Sequence, residues 1–296
     1  MSQPNRQNQK TRFFLLAFAL SFFLLAIMGL IVVFLLNPAQ EESSSFEQTS
    51  ADTFYLPREE DNISVLLSGY AEKEEGAVFF ALARLDMLSG GIPVVLFPPQ
   101  TILDEQTGYA TLAQAYAQGG APAAAKAIAE TYSIPVDRYA DIDSQSLIDA
   151  VNRVGVAEYT LTQDLSCHAD DIFISLSAGR QLIDGQKFWD ILRYPDYDGG
   201  VVQQCQEGAQ LIAAYLNGRL SAVLGDNAQA LVSGLLDLVD TNLSYVDYES
   251  RQPALQFLSK LEGDPAQAYP LTGAWNKAGA FVPDAAARRQ LVQRFG

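Results

Sequence analysis

The stretch Ile63-Ser-Val-Leu-Leu-Ser68 is a short apolar run that ends at Gly69, and Ile92-Pro-Val-Val-Leu-Phe97 is a second run that ends at Pro98-Pro99. Apolar runs of this length, stopped by glycine or proline, are typical of strands that are buried on both faces. Residues 76–86 lie between the two runs, are also apolar, and precede the turn Ser89-Gly90-Gly91. The three segments therefore predict adjacent strands of one sheet.

Helical patterns alternate with a further strand in the rest of the chain. Alanine-rich segments, capping residues and helical spacing of apolar positions predict helices over 111–118, 121–132, a segment that begins at Asp143, 185–194, 203–220 and 284–294. Residues 139–142 predict another strand. Strands and helices interleave without an internal repeat, which indicates a single α/β domain over residues 61–296.

The amino-terminal region contains an uncharged stretch, residues 13–36, that follows Arg6, Lys10 and Arg12. A helix that rises about 1.5 Å per residue crosses the roughly 30 Å hydrocarbon core of a membrane over this length. A cleaved signal peptide would have a shorter apolar core and a small-residue cleavage site. The basic residues predict a cytoplasmic tail at 1–12, a transmembrane signal anchor at 13–36, an extracytoplasmic stalk at 37–60 and an exported domain at 61–296. We expect a single-pass protein of the cytoplasmic membrane with its amino terminus inside.

The exported part is strongly acidic. Three of the 19 basic residues precede the predicted anchor, which leaves 16 against 35 acidic residues and a net charge of −19. Nucleic-acid binding requires clustered Lys and Arg, so we exclude that class of partner. An anionic substrate would need a local basic pocket or a metal ion, and the charge otherwise keeps a tethered domain soluble.

The two cysteines, Cys167 and Cys205, lie in the part predicted to be exported, where disulfides persist. A bond between them would stabilise the domain by about 3 to 4 kcal/mol on a chain-entropy argument. Two separate thiols are the alternative. Their spacing matches no metal motif, and the chain has a single histidine, His168, so we predict no metal site.

Six segments follow one another along the chain in a distinctive order. They are Val94-Val-Leu-Phe-Pro98 with Thr101, Ala115-Tyr-Ala-Gln-Gly-Gly120, Ile134-Pro-Val-Asp-Arg-Tyr139 with Asp143, Leu182-Ile-Asp-Gly-Gln-Lys-Phe-Trp-Asp-Ile-Leu-Arg193, Thr241-Asn-Leu-Ser244 and Phe281-Val-Pro-Asp284. Behind one membrane anchor, this set resembles the LytR-CpsA-Psr family of envelope proteins. The resemblance implies a mixed central sheet flanked by helices and a hydrophobic groove for a polyprenyl chain. It also implies transfer of a glycopolymer from polyprenyl pyrophosphate to peptidoglycan.

That chemistry needs carboxylates for Mg²⁺ and arginines for the pyrophosphate, and the chain departs from the family's pattern at most of these positions. The positions that are charged in the family correspond here to Gly69-Tyr70-Ala71, residues 76–79, Pro99-Gln100, Tyr194-Pro195 and residues 201–207. Arg193 is the retained candidate for phosphate binding; the alternative is a surface arginine paired with Asp190 or Asp196. We expect no cofactor, except Mg²⁺ if the chain is active after all.

Other candidates have a functional and a structural interpretation. By resemblance, the following side chains are candidates for the lipid groove, with ordinary core packing as the alternative: Phe79, Phe80, Phe97, Phe188, Trp189 and Leu192. The carboxylates of residues 194–200, and of Asp170-Asp171 beside His168, are metal ligands or solvated turns. Strand alternation predicts that Arg84 points to solvent.

Two function classes follow from these residues. The first is a catalytically degenerate family member that acts as a binding or regulatory partner in envelope assembly, through a polyprenyl-linked lipid or an envelope-assembly protein. The second is an active phosphotransferase with a rearranged site. An unrelated exported α/β domain is the remaining possibility. The scarcity of clustered cations favours the first class.

Overall fold

The computed structural model describes residues 55–72, 76–169 and 172–296. The three strands predicted from the apolar runs are present: β1 (Ile63–Tyr70), β2 (Ala77–Leu85) and β3 (Ile92–Phe97). All six residues of β3 are buried, as expected for a strand covered on both faces. The tight turn between β2 and β3 closes through reciprocal backbone hydrogen bonds between Asp86 and Gly91, at 2.9 and 3.0 Å.

The central sheet has six strands in the order β10-β3-β2-β1-β4-β9. The remaining members are β4 (Arg138–Asp143), β9 (Asp240–Thr241) and β10 (Ala266–Ala268). β2 is antiparallel to both β1 and β3, whereas β4 is parallel to β1 and β10 is parallel to β3. The sheet is therefore mixed, as the family resemblance implied.

Seven α-helices surround the sheet in the described part of the chain. They are α1 (Leu112–Tyr132), α2 (Ser144–Val154), α3 (Gly185–Arg193), α4 (Gly200–Arg219), α5 (Ala228–Leu236), α6 (Tyr245–Leu258) and α7 (Ala285–Phe295). Most begin at a side-chain cap, for example Asp143 on the amide of Ser146 at 2.9 Å and Asp184 on the amide of Lys187 at 2.9 Å. These caps are the signals that made the helix starts predictable.

Helix α1 contains the break that the sequence predicted between two shorter helices. Gly120 has φ = +66°, a conformation that residues with a Cβ rarely adopt, and Pro122 follows it. Proline is tolerated there because it lies in the first turn after the break, where its missing N–H costs nothing. The two predicted helices thus form one element with an internal kink.

Alternating side chains of the sheet pack into two separate cores, one on each face. On one face, Phe80 and Phe97 pack with Ile128 of α1 and Phe295 of α7. On the other face, the core is built between the sheet and α2, α3 and α4, and it includes these side chains: Phe79, Leu96, Val151, Trp189, Ile191 and Leu211. The domain is therefore a sheet with a helical layer on both sides.

Two antiparallel hairpins that the sequence analysis did not predict lie outside the central sheet. One pairs β5 (Ala157–Leu161) with β8 (Gly179–Ile183), and the other pairs β6 (Leu165–Ala169) with β7 (Ile172–Leu176). A third short hairpin joins β11 (Gly273–Trp275) to β12 (Phe281–Pro283). The first two hairpins contribute Leu161, Leu165 and Ile174 to the core beneath α4.

Arg84 does not point to solvent, and this expectation was wrong. Its side chain lies on the same face as Phe80 and Leu82 and is buried, with 8% of its surface exposed. Nη1 donates a hydrogen bond of 3.1 Å to Oγ of Ser64, while the buried Nε has no partner. The reason is that helices cover both faces of the sheet, so alternation exchanges one core for the other rather than core for solvent.

The predicted tail and anchor, and most of the predicted stalk, lie outside the described residues. Among the residues that are described, no helix is both long enough and apolar enough to cross a membrane. The described chain begins within the predicted stalk: the ring of Tyr55 packs on Phe257 at 5.4 Å, and its hydroxyl donates to Asp61 at 2.6 Å. Contacts with the domain therefore start before residue 61.

Candidate functional site

The candidate site lies at one end of the central sheet, which we call the upper edge. It is defined by the residues where β1 and β4 end, β2 begins and β3 ends: Tyr70, Asp143, Ala77 and Phe97. The register brings Tyr70 beside both Ala77 and Asp143. The topology thus gathers at this edge the segments that the sequence analysis singled out, namely Gly69 to Ala71, residues 76–78 and Pro98 to Thr101.

Side chains at the upper edge are mostly apolar and pack onto the two cores. Ala71, Val78 and Val201 are half-buried against the core beneath α3 and α4. Tyr70, Ala77 and Val202 pack in the same way against the core beneath α1 and α7. The first turn of α4 therefore contributes one valine to the packing of each core.

Close packing also constrains the backbone at this edge. A Cβ added to Gly69 would lie 2.2 Å from Cε1 and 2.5 Å from Cζ of Phe79, the residue opposite it on β2. Only glycine leaves room for that ring, because contacts below about 3 Å between carbon atoms are strongly repulsive. Phe79 in turn contacts Trp189 of α3, with ring centroids 6.5 Å apart. Gly69 therefore permits the packing that positions α3.

Arg193, the candidate phosphate ligand, ends α3 and is bound by a neighbouring carboxylate. Its Nη2 and Nε donate to Oδ1 of Asp190 at 3.0 and 3.2 Å. Nε2 of Gln186 donates to the same oxygen at 3.0 Å. Burial raises the pKa of the Asp190 carboxyl, and the bonds from Gln186 and Arg193 partly offset that rise. This is the ion-pair alternative of the sequence analysis, with Asp190 rather than Asp196 as the partner.

The six candidates for the lipid groove do not share one surface. Phe79, Phe188, Trp189 and Leu192 belong to the core beneath α3 and α4, whereas Phe80 and Phe97 belong to the core on the opposite face. All six are nearly fully buried, between 0 and 4% exposed. The structure thus places them in packed interior on the two sides of the sheet. Their role in binding a lipid stays a prediction.

The structure describes the surroundings of both cysteines and of one of the two acidic segments. Cys167 and Cys205 are free thiols in the same buried core, so the structure contains no bond between them, and their pairing stays a prediction. Burial raises the pKa of the Cys205 thiol to about 12. The segment after Arg193 contains two buried tyrosines, Tyr194 and Tyr197, whose rings pack edge-on with centroids 4.9 Å apart. Asp170-Asp171 lies outside the described residues.

A family model described as the LytR_cpsA_psr family matches residues 99–262, more than half of the chain. The chain belongs to the LytR_cpsA_psr family. Among curated relatives, Biofilm regulatory protein A of Streptococcus mutans serotype c (strain ATCC 700610 / UA159) is 27% identical over 147 residues. That match covers 47% of this chain and 36% of the relative, so it spans about a third of the relative's length.

Solved structures share the fold at lower sequence identity. A protein of Eubacterium siraeum DSM 15702, described only as a candidate transcription regulator, superposes with a TM-score of 0.72 at 16% identity, covering 82% of this chain and 95% of that one. TagV of B. subtilis gives 0.64 at 18% identity, with coverage of 79% and 97%. TagT, solved bound to LI-WTA, gives 0.59 at 18% identity, with coverage of 79% and 89%. These similarities establish the LytR_cpsA_psr fold over most of the described domain.

The donor atoms at the upper edge do not fit the Mg²⁺ ion that the family's reaction implies. Ala71 and Val78, which by the resemblance correspond to carboxylates of the family, carry no oxygen in their side chains. Mg²⁺ requires oxygen ligands in near-octahedral geometry, at least one or two of them carboxylates. In the described segments, no group of three His, Cys, Asp or Glu side chains is close enough to hold a metal.

Sequence reasoning missed a buried carboxylate on α4, two turns after its start. Glu207 is 5% exposed and accepts hydrogen bonds from the hydroxyls of Tyr159, at 2.9 Å, and Thr162, at 2.6 Å. Burial and the neighbouring Glu207 charge raise the pKa of Tyr159, so its hydroxyl stays a proton donor. The position four residues before Leu211 was the available signal, since it places Glu207 on the inward face of the helix. The inward face of α4 thus carries a buried acid that is bound by two hydroxyl groups.

A second buried carboxylate, Asp141 of β4, lies on the opposite face. It accepts hydrogen bonds from Oγ of Ser68 at 2.6 Å and from the hydroxyl of Tyr116 at 2.9 and 3.0 Å. Tyr116 sits in the Ala-Tyr segment that precedes the kink of α1, and it also packs edge-on against Phe80 at 5.6 Å. No local pattern pointed to this network, because an acid in a strand two positions before the helix cap Asp143 is not recognisable as inward-facing. It joins α1 to the central strands.

Proposed function

We propose that this chain acts in cell-wall glycopolymer assembly as a membrane-anchored binding or regulatory member of the LytR_cpsA_psr family that does not itself transfer polymer. Family membership supports the process. The uncharged stretch at residues 13–36, with basic residues only before it, supports an anchor with the domain outside the cytoplasmic membrane. The partner is a polyprenyl-linked lipid or an envelope-assembly protein.

The observation that carries this proposal is the packing of the upper edge. Ala71, Val78 and Val201 stand where the family has charged residues, and each is seated against the core. Arg193, the retained cation, already serves as the counter-ion of Asp190. One lost contact to a phosphate or metal costs a few kcal/mol of transition-state stabilisation, or several powers of ten in rate when summed over about three or four contacts. Binding of an apolar chain does not need those charges, so it is a separate requirement.

The alternative is an active phosphotransferase that moves a glycopolymer from polyprenyl pyrophosphate to peptidoglycan through a rearranged site. What favours it is the position of Arg193, whose side chain remains 18% exposed at the end of α3. In that case Arg193 would exchange Asp190 for the pyrophosphate, and Mg²⁺ would be required.

An assay of the purified protein with a polyprenyl-pyrophosphate-linked saccharide, a peptidoglycan acceptor and Mg²⁺ distinguishes the two. We expect no release of polyprenyl phosphate above the rate without protein, and weak or no binding of polyprenyl phosphate by native mass spectrometry. Mg²⁺-dependent cleavage that is abolished in Arg193→Ala and retained in Arg180→Ala would establish the alternative. Arg180 is a suitable control because it is an exposed arginine on a hairpin, paired with Glu158.

The anchor and its orientation are tested separately. Protease added to intact protoplasts is expected to remove the domain, because the predicted topology places residues 61–296 outside. A domain that survives until the membrane is permeabilised would invert the topology and withdraw the proposed compartment.

A further inference from the structure

A polar cavity of about 270 Å³ lies at the opposite end of the sheet from the upper edge. It is enclosed by the turn between β2 and β3, the segment 261–265 before β10, and the last turn of α7. β3 runs from this cavity to the upper edge, a distance of about 20 Å at roughly 3.3 Å per residue. The cavity is therefore distinct from the site described above.

The walls of the cavity are held by hydrogen bonds within the protein. The amide of Ile92 donates to the carbonyl of Pro265 at 2.7 Å, which ties the β2–β3 turn to the segment before β10. The side chain of Asn217 bonds both the carbonyl and the amide of Ala266, at 2.9 and 2.8 Å. The cavity is thus preformed, and a ligand would not have to order its walls.

Four charged side chains line the cavity: Asp86, Glu262, Asp264 and Arg294. None of them forms an ion pair with another residue of the described chain, although both signs are present around one cavity. The guanidinium of Arg294 instead lies over the ring of Tyr269, 5.0 Å from its centroid. Oδ1 of Asp86 already accepts the backbone amides of Leu88 and Ser89 at 3.2 and 3.3 Å, so Glu262, Asp264 and Arg294 are the charges most available to a ligand.

The arrangement selects the ligand's chemistry. A divalent cation is a poor fit, because within the described segments no three acidic, His or Cys side chains converge closely enough to coordinate one. Three separated carboxylates and one guanidinium instead complement a molecule that carries more ammonium groups than carboxylates, with at least one ammonium group remote from the carboxylate. The volume is below the range of about 300 to 1,000 Å³ that suits drug-sized ligands, so the molecule is small.

We propose that this cavity binds a diamino acid such as lysine, free or as the last residue of a peptide. The ammonium groups would lie against Glu262, Asp264 and Asp86, and the carboxylate would accept from the free N–H groups of Arg294. The amides of Gln267 and Gln293 line the same cavity and supply further polar contacts. This proposal does not depend on whether the upper edge is catalytically active.

Isothermal titration calorimetry on the full-length chain in detergent micelles tests the proposal with four probes: lysine, the dipeptide alanyl-lysine, norleucine and cadaverine. Lysine is expected to bind with a Kd on the order of 1 mM. Norleucine lacks the side-chain ammonium and cadaverine lacks the carboxylate, so each should bind about threefold to tenfold more weakly, the loss of one partly exposed charge pair. Alanyl-lysine that binds more tightly than lysine identifies the peptide as the source of the ligand, and the reverse order identifies the free amino acid.

Matched variants assign the binding to the cavity. Asp264→Asn and Arg294→Met are expected to weaken lysine binding by about threefold to tenfold each, whereas Asp226→Asn, at an exposed acid outside the cavity, should leave it unchanged. Circular dichroism checks that each variant is folded. The proposal is overturned if lysine gives no saturable heat, if cadaverine binds as tightly as lysine, or if Asp226→Asn weakens binding as much as Asp264→Asn.

Discussion

Replacing the buried arginine of the central sheet should stabilise the protein. Arg84 of β2 is buried, with 8% of its surface exposed, and its one hydrogen bond in the structure goes to the neutral hydroxyl of Ser64 at 3.1 Å. Its Nε is buried without a partner, and the described part of the chain gives it no ion pair. Methionine keeps the aliphatic length of the arginine stem while it removes the charge.

The size of the effect follows from three opposing contributions. An unsatisfied buried donor costs about 1 to 3 kcal/mol. Withdrawing a guanidinium from water costs several kcal/mol more, and a single neutral partner offsets only part of this. Against these, Arg84→Met loses a charged hydrogen bond to Ser64 worth about 1.5 to 3 kcal/mol. The net expectation is a free energy of unfolding raised by about 1 to 2 kcal/mol, which is a rise in Tm of about 2 to 8 °C for a domain of this size.

Urea unfolding followed by circular dichroism, on the unit Tyr55–Gly296, measures this change. Arg180→Met is the matched control, because Arg180 is 73% exposed and its removal should change stability by less than about 0.5 kcal/mol. A loss of 1 kcal/mol or more in Arg84→Met would refute the reasoning, since it would mean that the folded protein provides the guanidinium with a strong partner.

Three further expectations concern other parts of the domain. The pKa of Asp247 is lowered to about 2, and the largest cause is its hydrogen bonds from Arg138. In the unfolded chain the pKa of an Asp is about 4, so the pair stabilises the fold fully above pH 4. This contribution is lost as the pH falls from 4 towards 2. Because a third of the Arg138 side chain is exposed, the contribution is about 1 to 2 kcal/mol. The free energy of unfolding of Arg138→Met, measured between pH 4 and 2, should therefore depend less steeply on pH than that of the unmodified protein. Equal slopes for the two proteins would contradict this expectation. Gly69→Ala should destabilise by about 2 kcal/mol or more because of the Phe79 ring, and Phe79→Leu in the same chain should recover part of that loss in a thermal melt. The Cys205 thiol, with a pKa of about 12, should resist a thiol reagent at pH 8 in native protein and react in urea, and rapid native labelling of Cys205 would show that its burial is wrong.

The central strands were predictable because their signal is local. Each of β1, β2 and β3 is a mostly apolar run with glycine or proline at one end or both, and a strand covered on both faces needs no alternation. The hairpins beside α4 were missed, although β5 alternates buried Ala157, Tyr159 and Leu161 with exposed Glu158 and Thr160, the pattern of a half-buried strand. Polar residues between short runs made this region resemble a loop.

At the candidate site, the sequence predicted only the absence of charged side chains. The sequence alone shows that Ala71 and Val78 carry no charge, and the structure adds that both pack onto the core. The engagement of Arg193 by Asp190 was available from their i, i+3 spacing on one helix. The acids that face inward from α4 and β4 depend on contacts between residues far apart in the chain, such as Glu207 with Tyr159, and no local pattern contains that information.

If the proposed function holds, the apolar packing at the upper edge limits how single substitutions could introduce transfer activity there. A carboxylate restored at position 78 would lie half-buried against apolar side chains, since Val78 packs there now. Burial raises the pKa of such a group, and the nearest family-type cation, Arg193, is already the counter-ion of Asp190. The new acid would therefore hold its proton more tightly than an exposed carboxyl and would be a poorer ligand for a metal ion. Several charges would have to return together, with the valines of α4 withdrawn from the edge, before any one of them improved the binding of a pyrophosphate. On the proposed function, apolar packing at this edge stands in place of the charges that the family resemblance implies, and it contributes to the stability of the fold.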